Sequence, residues 1–239
     1  MIAPMPYKVG IIGAGVIGDF HAEAINAMHG AELVAAYARR DERAQAFAQA
    51  HGCAGYSDIE QFLAHKDMRV VTVASVSGAH LAHVEAAAKA GKHIICEKPL
   101  EVTTARIDQM IRICEEAGVM LAGIFPRRFN PSTEIFKKAI ENGRLGKVVL
   151  VDVAIKWWRS QEYYDSGAWR GTWDLDGGGA LMNQSIHTID LMLNLLGPVK
   201  SVRASCGLDA HEGIEVEDVA VAMVEFVSGA RGVIQASTA

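Results

Sequence analysis

The sequence has no long apolar run, no closely spaced cysteines and no excess of positive charge, and each absence excludes a class of protein. No apolar run in the 239 residues reaches the length of a membrane span, and the N-terminal segment MIAPMPYK is too short and too broken by proline for a signal peptide. The formal net charge of −5 gives no electrostatic reason to expect a nucleic acid or an anionic membrane as a partner. We therefore expect the chain to bind neither.

The four cysteines stand at Cys53, Cys96, Cys114 and Cys206, with no CxxC pair and no metal-ligand spacing. This pattern predicts reduced thiols in a cytoplasmic protein and no metal site. Half of the residues are hydrophobic and 21% are charged, which is typical of a globular protein that buries a sizeable core.

Strand-like and helix-like segments alternate over the first half of the chain. The predicted strands are YKVGIIGAG, ELVAAYA, MRVVTVAS, KHIICEKP and VMLAGIF. Segments with helical spacing lie between them, and this alternation predicts a doubly wound parallel sheet. After FPRRFNP a helix leads into a longer strand of alternating polarity, so we predict a first domain over 1–122 and a second over 123–239.

The first chemical motif is GAGVIG, from Gly13 to Gly18, which follows the first strand and opens a helix. In this context the glycines allow a tight turn and let a pyrophosphate approach the helix N-terminus, so the motif predicts dinucleotide binding. The alternative is a glycine turn that only packs a helix on a strand.

The end of the second strand bears on which dinucleotide is bound. A carboxylate about 20 residues beyond the motif normally accepts a hydrogen bond from the ribose 2′-hydroxyl, but Ala38 stands there and Arg39 and Arg40 follow. Two guanidinium groups favour a 2′-phosphate, so we expect NADP to be preferred and NAD to be accepted as well. The alternative is a solvated loop.

CEKP, from Cys96 to Pro99, closes the fourth strand at the edge of the sheet where ligands bind. A lysine there can reach a bound substrate, although spacing alone favours an ordinary lysine at a strand end. We also predict a cis Lys98–Pro99 bond, because only X–Pro bonds adopt cis at low cost.

The segment GGGALMNQSIHTID begins at Gly177 and carries an unusual polar row. If it is helical, Asn183, His187, Asp190 and Asn194 fall on one face. A solvated stripe usually carries Lys, Arg and Glu, whereas these side chains suit directed hydrogen bonds, and a histidine can transfer protons near neutral pH. We therefore favour a site over a solvated surface.

Together, GAGVIG, GKHIICEKPL and GGGALMNQSIHTIDLM resemble the glucose–fructose oxidoreductase, inositol dehydrogenase and rhizopine-catabolism family (Gfo/Idh/MocA) over nearly the whole chain. SVSGAH is similar to the family's cofactor loop, with Ser75-Val76 where that loop usually has Thr-Pro. The resemblance implies an N-terminal Rossmann domain with a doubly wound parallel sheet, followed by an α+β domain with a large, mainly antiparallel open sheet. Family members usually run further, so we expect the second domain to be incomplete.

The resemblance also implies an activity, the NAD(P)-dependent transfer of a hydride between nicotinamide and a hydroxyl of a sugar, polyol or sugar acid. Lys98 matches the lysine that contacts the reacting hydroxyl, and His187 matches the general base. Asn183 stands where inositol dehydrogenase-like members have aspartate, so it can orient His187 or bind a hydroxyl but cannot relay a proton. The implied cofactor-binding residues are Gly13, Gly15, Val16, Ile17, Gly18, Ala38, Arg39, Arg40, Ser75, Ser77, His80, Glu97 and Lys98.

The tryptophan-rich segment KWWRSQEYYDSGAWRGTWDLD is predicted to form part of the substrate wall, although core packing is the favoured interpretation of any single tryptophan. The candidate substrate residues are Arg128, Trp157, Arg159, Tyr163 and Arg170.

Two other functions stay open from the sequence. The same fold supports a cofactor-retaining glycosidase, and a third hypothesis is a non-catalytic sensor that binds a dinucleotide and a partner protein. The presence of both Lys98 and His187 speaks against the sensor, because a sensor needs no base. We expect a homodimer or homotetramer formed through the C-terminal sheet.

Overall fold

The computed structural model describes residues 6–239, so most of the segment MIAPMPYK lies outside the described residues. The chain divides into two compact units, one that ends at Ile124 and one that begins at Phe125. The roles given above to 1–122 and 123–239, cofactor binding and substrate binding with oligomerisation, stay predictions.

Within residues 6–239, six parallel strands form the sheet of the first unit. They are β1 (Tyr7–Ile12), β2 (Ala31–Tyr37), β3 (Ala54–Tyr56), β4 (Met68–Val73), β5 (His93–Cys96) and β6 (Leu121–Gly123). Their order is β3-β2-β1-β4-β5-β6, which confirms the predicted doubly wound sheet. The winding reverses between β1 and β4, so a ligand crevice is expected beyond the carboxyl ends of these two strands.

The helices of the first unit are α1 (Val16–Ala27), α2 (Asp41–His51), α3 (Ile59–Leu63), α4 (His80–Lys89) and α5 (Thr104–Glu116). They cover both faces of the sheet, and each face has its own apolar core, which explains the continuous apolar runs in β1 and β4. The short β3 and α3 have no counterpart among the predicted segments, because three to five residues show no usable periodicity.

The second unit has a mixed sheet with the order β7-β10-β9-β8. Its strands are β7 (Leu150–Lys156), β8 (Val199–Gly207), β9 (Val219–Phe226) and β10 (Arg231–Ser237), and its helices are α6 (Pro131–Glu141), α7 (Gln161–Asp165) and α8 (Ile186–Leu196). Strand β10 pairs parallel with β7 and antiparallel with β9, and β8 and β9 are antiparallel. A mostly antiparallel sheet confirms the predicted class.

One face of the second sheet packs against α8. Met192 and Ile189 of that helix lie in the same apolar cluster as Val153, Val224 and Phe226 of the strands. The helix that carries His187 is thereby held on the sheet by its apolar face. No helix within residues 6–239 has both the length and the apolarity needed to cross a bilayer.

The first unit contains a fully buried carboxylate. Glu101 accepts hydrogen bonds from the main-chain N–H groups of Leu81 (3.1 Å) and Val102 (2.7 Å) and from Nη2 of Arg106 (2.7 Å). Leu81 lies in the first turn of α4 and Arg106 in α5. Because an unpartnered buried ion is costly to desolvate, these contacts join the two helix starts.

We expect Glu101→Gln to lower the free energy of unfolding by about 1–3 kcal/mol, because an amide accepts fewer of these hydrogen bonds and loses the ion pair with Arg106. Glu116→Gln, at the exposed end of α5, is the matched control and should stay near the wild-type value. Urea unfolding measures both variants, and equal stabilities would contradict the expectation.

Candidate active site

The glycine turn after β1 is built for close packing. Gly13 has φ +116°, and a Cβ there would lie 2.6 Å from the carbonyl oxygen of Ala74, just after β4. A Cβ at Gly18 would lie 2.1 Å from the carbonyl oxygen of Gly13. These glycines therefore bring α1 against the ends of β1 and β4.

The N-terminus of α1 is open. A Cβ at Gly15, the N-cap residue, would have no atom within 4 Å, and no side chain caps the helix. The side chains of Val16 and Ile17 are exposed. Unpaired N–H groups and the positive end of the helix dipole suit an anionic diphosphate, so these residues fit a dinucleotide.

Two exposed arginines, Arg39 and Arg40, follow the end of β2. Ala38 donates its N–H to Tyr56, and Arg39 and Arg40 are exposed without an ion pair or side-chain hydrogen bond within residues 6–239. Asp41, the nearest acid, accepts hydrogen bonds from Gln45 (3.3 Å) and from the Ser57 hydroxyl (3.1 Å). Its carboxylate therefore has partners other than the two arginines.

The loop after β4 is held by two histidines. The Ser75 hydroxyl contacts Nδ1 of His83 (2.9 Å), and burial, with electrostatic interactions with His80 and Arg39, lowers the pKa of His83 to about 4. His80 is itself buried, with Nε2 on the Ser75 carbonyl (3.0 Å) and Nδ1 on the Pro99 carbonyl (3.0 Å). His80 therefore connects the loop after β4 to the turn after β5. Ser77 is also buried.

The turn after β5 carries the predicted lysine. The Lys98–Pro99 bond is cis, which confirms that prediction. Glu97 accepts a hydrogen bond from the main-chain N–H of Lys98 (2.9 Å) with one oxygen and contacts the ring of His21 (3.0 Å) with the other. Sequence motifs did not point to His21.

The helix expected over the segment that begins at Gly177 differs from the structure. Residues Ala180–Ser185 form a π-helical turn, and the α-helix starts only at Ile186. At the start of this turn the carboxylate of Glu217 accepts hydrogen bonds from the N–H groups of Gly179 (3.1 Å) and Leu181 (2.9 Å). The wider turn places Asn183 and His187 outside the spacing of one continuous α-helix.

Asn183 is oriented by an aspartate that sequence reasoning missed. Its Nδ2 donates to Oδ1 of Asp176 over 2.6 Å, and Oδ2 of Asp176 accepts from the N–H of Gly171 over 2.9 Å. Asp176 is buried, and the only signal for it was its place directly before the three glycines. His187 lies half-buried near the start of α8.

The rest of the polar row has other partners. Asp190 binds the guanidinium of Arg128 through two contacts, the one to Nε being 2.8 Å, and this hydrogen bonding raises the pKa of Arg128. Oδ1 of Asn194 accepts from Nζ of Lys137 (3.2 Å). Arg128 therefore forms an ion pair inside the second unit, and it takes no part in the aromatic cluster described next.

The other four candidate substrate residues do come together. The guanidinium carbons of Arg159 and Arg170 lie 4.9 Å and 4.2 Å from the ring centre of Tyr163, and that of Arg159 lies 4.9 Å from the ring of Trp157. Nη2 of Arg159 also donates to Oε1 of Gln184 (2.9 Å), the neighbour of Asn183. These contacts form an arginine–aromatic cluster beside the π-helical turn.

A buried contact between Asp218 and His211 fixes the main chain of this cluster. Asp218 accepts from the N–H groups of Asp209 (2.8 Å), Ala210 (2.8 Å) and His211 (2.9 Å), and from Nδ1 of His211 (3.0 Å). Nε2 of His211 donates to the carbonyl of Arg159 (2.9 Å). Burial by itself raises the pKa of Asp218, but these hydrogen bonds leave it below its ordinary value.

Two family models match the chain. The oxidoreductase family model with an NAD-binding Rossmann fold, GFO_IDH_MocA, matches residues 7–125, and the GFO/IDH/MocA C-terminal domain matches residues 134–239. Myo-inositol 2-dehydrogenase of Thermotoga maritima is 32% identical, and the match covers 96% of this chain and 68% of that protein. D-glucoside 3-dehydrogenase of Escherichia coli is 32% identical, with 94% and 68% covered.

Solved structures are similar over the full chain. The WlbA dehydrogenase from Bordetella pertussis in complex with NADH and UDP-GlcNAcA has a TM-score of 0.94 and 37% identity, covering 100% of this chain and 68% of that one. The WlbA dehydrogenase from Chromobacterium violaceum with the same two ligands has a TM-score of 0.92 and 32% identity, covering 100% and 70%.

We expect Asp218→Asn to lower the free energy of unfolding by about 2–4 kcal/mol, because the side-chain amide has only one oxygen to accept the four hydrogen bonds and brings its own N–H donors against the main-chain N–H groups. The Asp218 pKa is lower folded than unfolded, so its contribution is fully present above about pH 3.9 and is lost as the pH falls through the folded value.

The difference between wild type and Asp218→Asn should therefore be constant near neutral pH and shrink in acid. Exposed Asp174→Asn is the matched control. Urea unfolding over a pH series tests this, and a difference that persists unchanged at the acid end would refute it.

Proposed function

This chain belongs to the Gfo/Idh/MocA oxidoreductase family and is an NAD(P)-dependent dehydrogenase of sugar or polyol CH–OH groups, and we propose that its substrate is a nucleotide-linked sugar acid. The observation that carries the proposal is the arginine–aromatic cluster. Within residues 6–239, neither Arg159 nor Arg170 forms an ion pair, and the Nε of each is buried without a hydrogen-bond partner.

Two permanent cations stacked on one tyrosine favour an anionic ligand. Stacking on aromatic rings offsets only part of their mutual repulsion, whereas a carboxylate or phosphate accepts the forked hydrogen bonds of a guanidinium. UDP-GlcNAcA, bound by the two WlbA dehydrogenases, has both kinds of anion. A neutral polyol has neither.

We propose one residue or element of the chain for each chemical role. The open N-terminus of α1 would hold the diphosphate of the dinucleotide, and the bound nicotinamide supplies or accepts the hydride. Lys98 would hydrogen-bond to the reacting oxygen and stabilise negative charge on it, and His187 would take the hydroxyl proton as general base. Asn183, oriented by Asp176, would position the hydroxyl or the His187 ring.

We expect reduction of the nicotinamide with UDP-GlcNAcA and much less with UDP-GlcNAc, which keeps the diphosphate but lacks the carboxylate, measured by absorbance. Arg170→Met should raise KM for UDP-GlcNAcA about tenfold to a hundredfold, because a charge-assisted hydrogen bond to the carboxylate is lost, and leave KM for UDP-GlcNAc nearly unchanged. Exposed Arg144→Met in the same unit is the matched control.

His187→Ala removes the proposed general base and should reduce turnover by about 10²–10⁴-fold. It serves as the reference for a variant that loses the chemical step. Equal use of UDP-GlcNAcA and UDP-GlcNAc would refute the sugar-acid proposal. Release of sugar without net change of nicotinamide absorbance would instead identify a cofactor-retaining glycosidase.

NADP is the proposed preferred cofactor, with NAD accepted as well. Support comes from Ala38 at the end of β2, from Arg39 and Arg40 without intramolecular ion pairs in the described residues, and from Asp41, which is bound elsewhere. A guanidinium pairs strongly with a 2′-phosphate, although exposure weakens the contact.

We expect NADP to bind about tenfold to a hundredfold more tightly than NAD, and the double variant Arg39→Ala/Arg40→Ala to lose this preference. Arg43→Ala is the control, because Arg43 is exposed in the first turn of α2. Titration of both cofactors at fixed ionic strength measures the preference. Tighter binding of NAD would show that Arg39 and Arg40 do not bind the 2′-phosphate.

Location and assembly complete the proposal. A cytoplasmic location is supported by the four cysteines, all of which are free thiols. A homodimer or homotetramer through the second sheet is supported by apolar side chains exposed on it, namely Val202, Val221, Met223 and Val233.

A further inference from the structure

We infer that His21 is a positioning residue for Lys98 and acts through the Glu97 carboxylate. The inference rests on the proposed function, in which Lys98 contacts the reacting hydroxyl. His21 lies in α1, outside every motif that the sequence offers, and it belongs to the same unit as Lys98.

The His21 ring is held at both nitrogens. Its Nε2 donates to Oε1 of Glu97 over 3.0 Å, and its Nδ1 lies 3.1 Å from Oγ1 of Thr72 on β4. The side chains of His21 and Glu97 are only 11% and 16% exposed. A contact to a charged group at this depth is worth more than a solvated pair, so it can fix the carboxylate.

Glu97 passes the constraint to the lysine. Its Oε2 accepts a hydrogen bond from the main-chain N–H of Lys98 over 2.9 Å. Burial by itself raises the pKa of Glu97, but hydrogen bonds from His21 and the Lys98 N–H leave the pKa below its ordinary value. Near neutral pH the carboxylate is therefore ionised, with one oxygen on each partner.

This arrangement fixes a peptide plane directly before the lysine side chain. The N–H that Glu97 binds belongs to the planar group between Glu97 and Lys98, so its orientation sets the direction in which the Lys98 side chain leaves the chain. Without His21, one oxygen of Glu97 loses its donor and the carboxylate turns to another partner. The lysine keeps its charge but loses its direction, and a displacement of about 1 Å can reduce turnover about a hundredfold.

The ring also ties the lysine to the cofactor helix. α1 begins at Val16, directly after the glycine turn, so the helix whose N-terminus would hold the diphosphate also holds the lysine turn. His51 offers a matched comparison, because its Nε2 contacts Asp19 of the same helix over 2.8 Å instead of Glu97.

The first test needs no activity. Amide hydrogen exchange of Lys98, followed by NMR, reports on the N–H that Glu97 binds. We expect His21→Leu to accelerate it by about tenfold or more, because the acceptor is no longer held in place. His21→Gln, which keeps a donor, and the control His51→Leu should exchange at nearly the wild-type rate. Unchanged exchange in His21→Leu overturns the inference.

The second test is kinetic and separates turnover from cofactor binding. His21→Leu should lower kcat about tenfold to a hundredfold while the cofactor Kd changes by less than about threefold, and His21→Gln should recover most of the loss. In a Lys98→Ala background, His21→Leu should cause no further loss, because the two residues act as one unit.

An equal further loss in the Lys98→Ala background, or an effect on cofactor affinity alone, would overturn the inference. A wild-type chain without activity on any sugar would refute the proposed function instead, and the exchange measurement would then decide the role of His21.

Discussion

The first unit depends on one close contact, the packing of the glycine turn against the end of β4. The carbonyl oxygen of Ala74 leaves no room for a side chain at Gly13, and that of Gly13 leaves none at Gly18. This contact brings α1 to the point where the winding of the sheet reverses. The open helix N-terminus, the reach of His21 to Glu97 and the placement of Lys98 all follow from where α1 begins.

The second unit has its own form of the same constraint. A Cβ at Gly179 would lie 1.7 Å from the carbonyl oxygen of Glu217, so only glycine allows the carboxylate of Glu217 to bind the start of the π-helical turn. The turn then sets where Asn183 stands, and the apolar face of α8 holds His187 on the sheet. In both units a glycine permits a backbone approach that positions a polar group.

Buried polar contacts connect these backbone features to the candidate chemistry. Asp176 orients Asn183, His211 with Asp218 fixes the main chain at Arg159, and His21 with Glu97 holds the turn of Lys98. The contact of His21 with Glu97 and that of His211 with the Arg159 carbonyl join residues far apart in the chain, and all of these contacts are shielded enough from water to fix a geometry that a solvated pair would not. Histidines and acids therefore support the candidate site residues Asn183, Arg159 and Lys98.

The sequence by itself determined the strand–helix alternation and the parallel sheet of the first unit, because periodicity and glycine motifs are local properties of the chain. The class of the second sheet, the family and the candidate groups Lys98, Asn183 and His187 came from the resemblance that the three motifs carry. Only the tertiary structure decided that Arg128 pairs with Asp190, that Arg159 and Arg170 meet on Tyr163, and that the helix before His187 opens as a π-turn. Those outcomes depend on contacts with residues distant in the chain, such as Glu217 and Asp190, and the linear sequence does not show which distant residues come together in space.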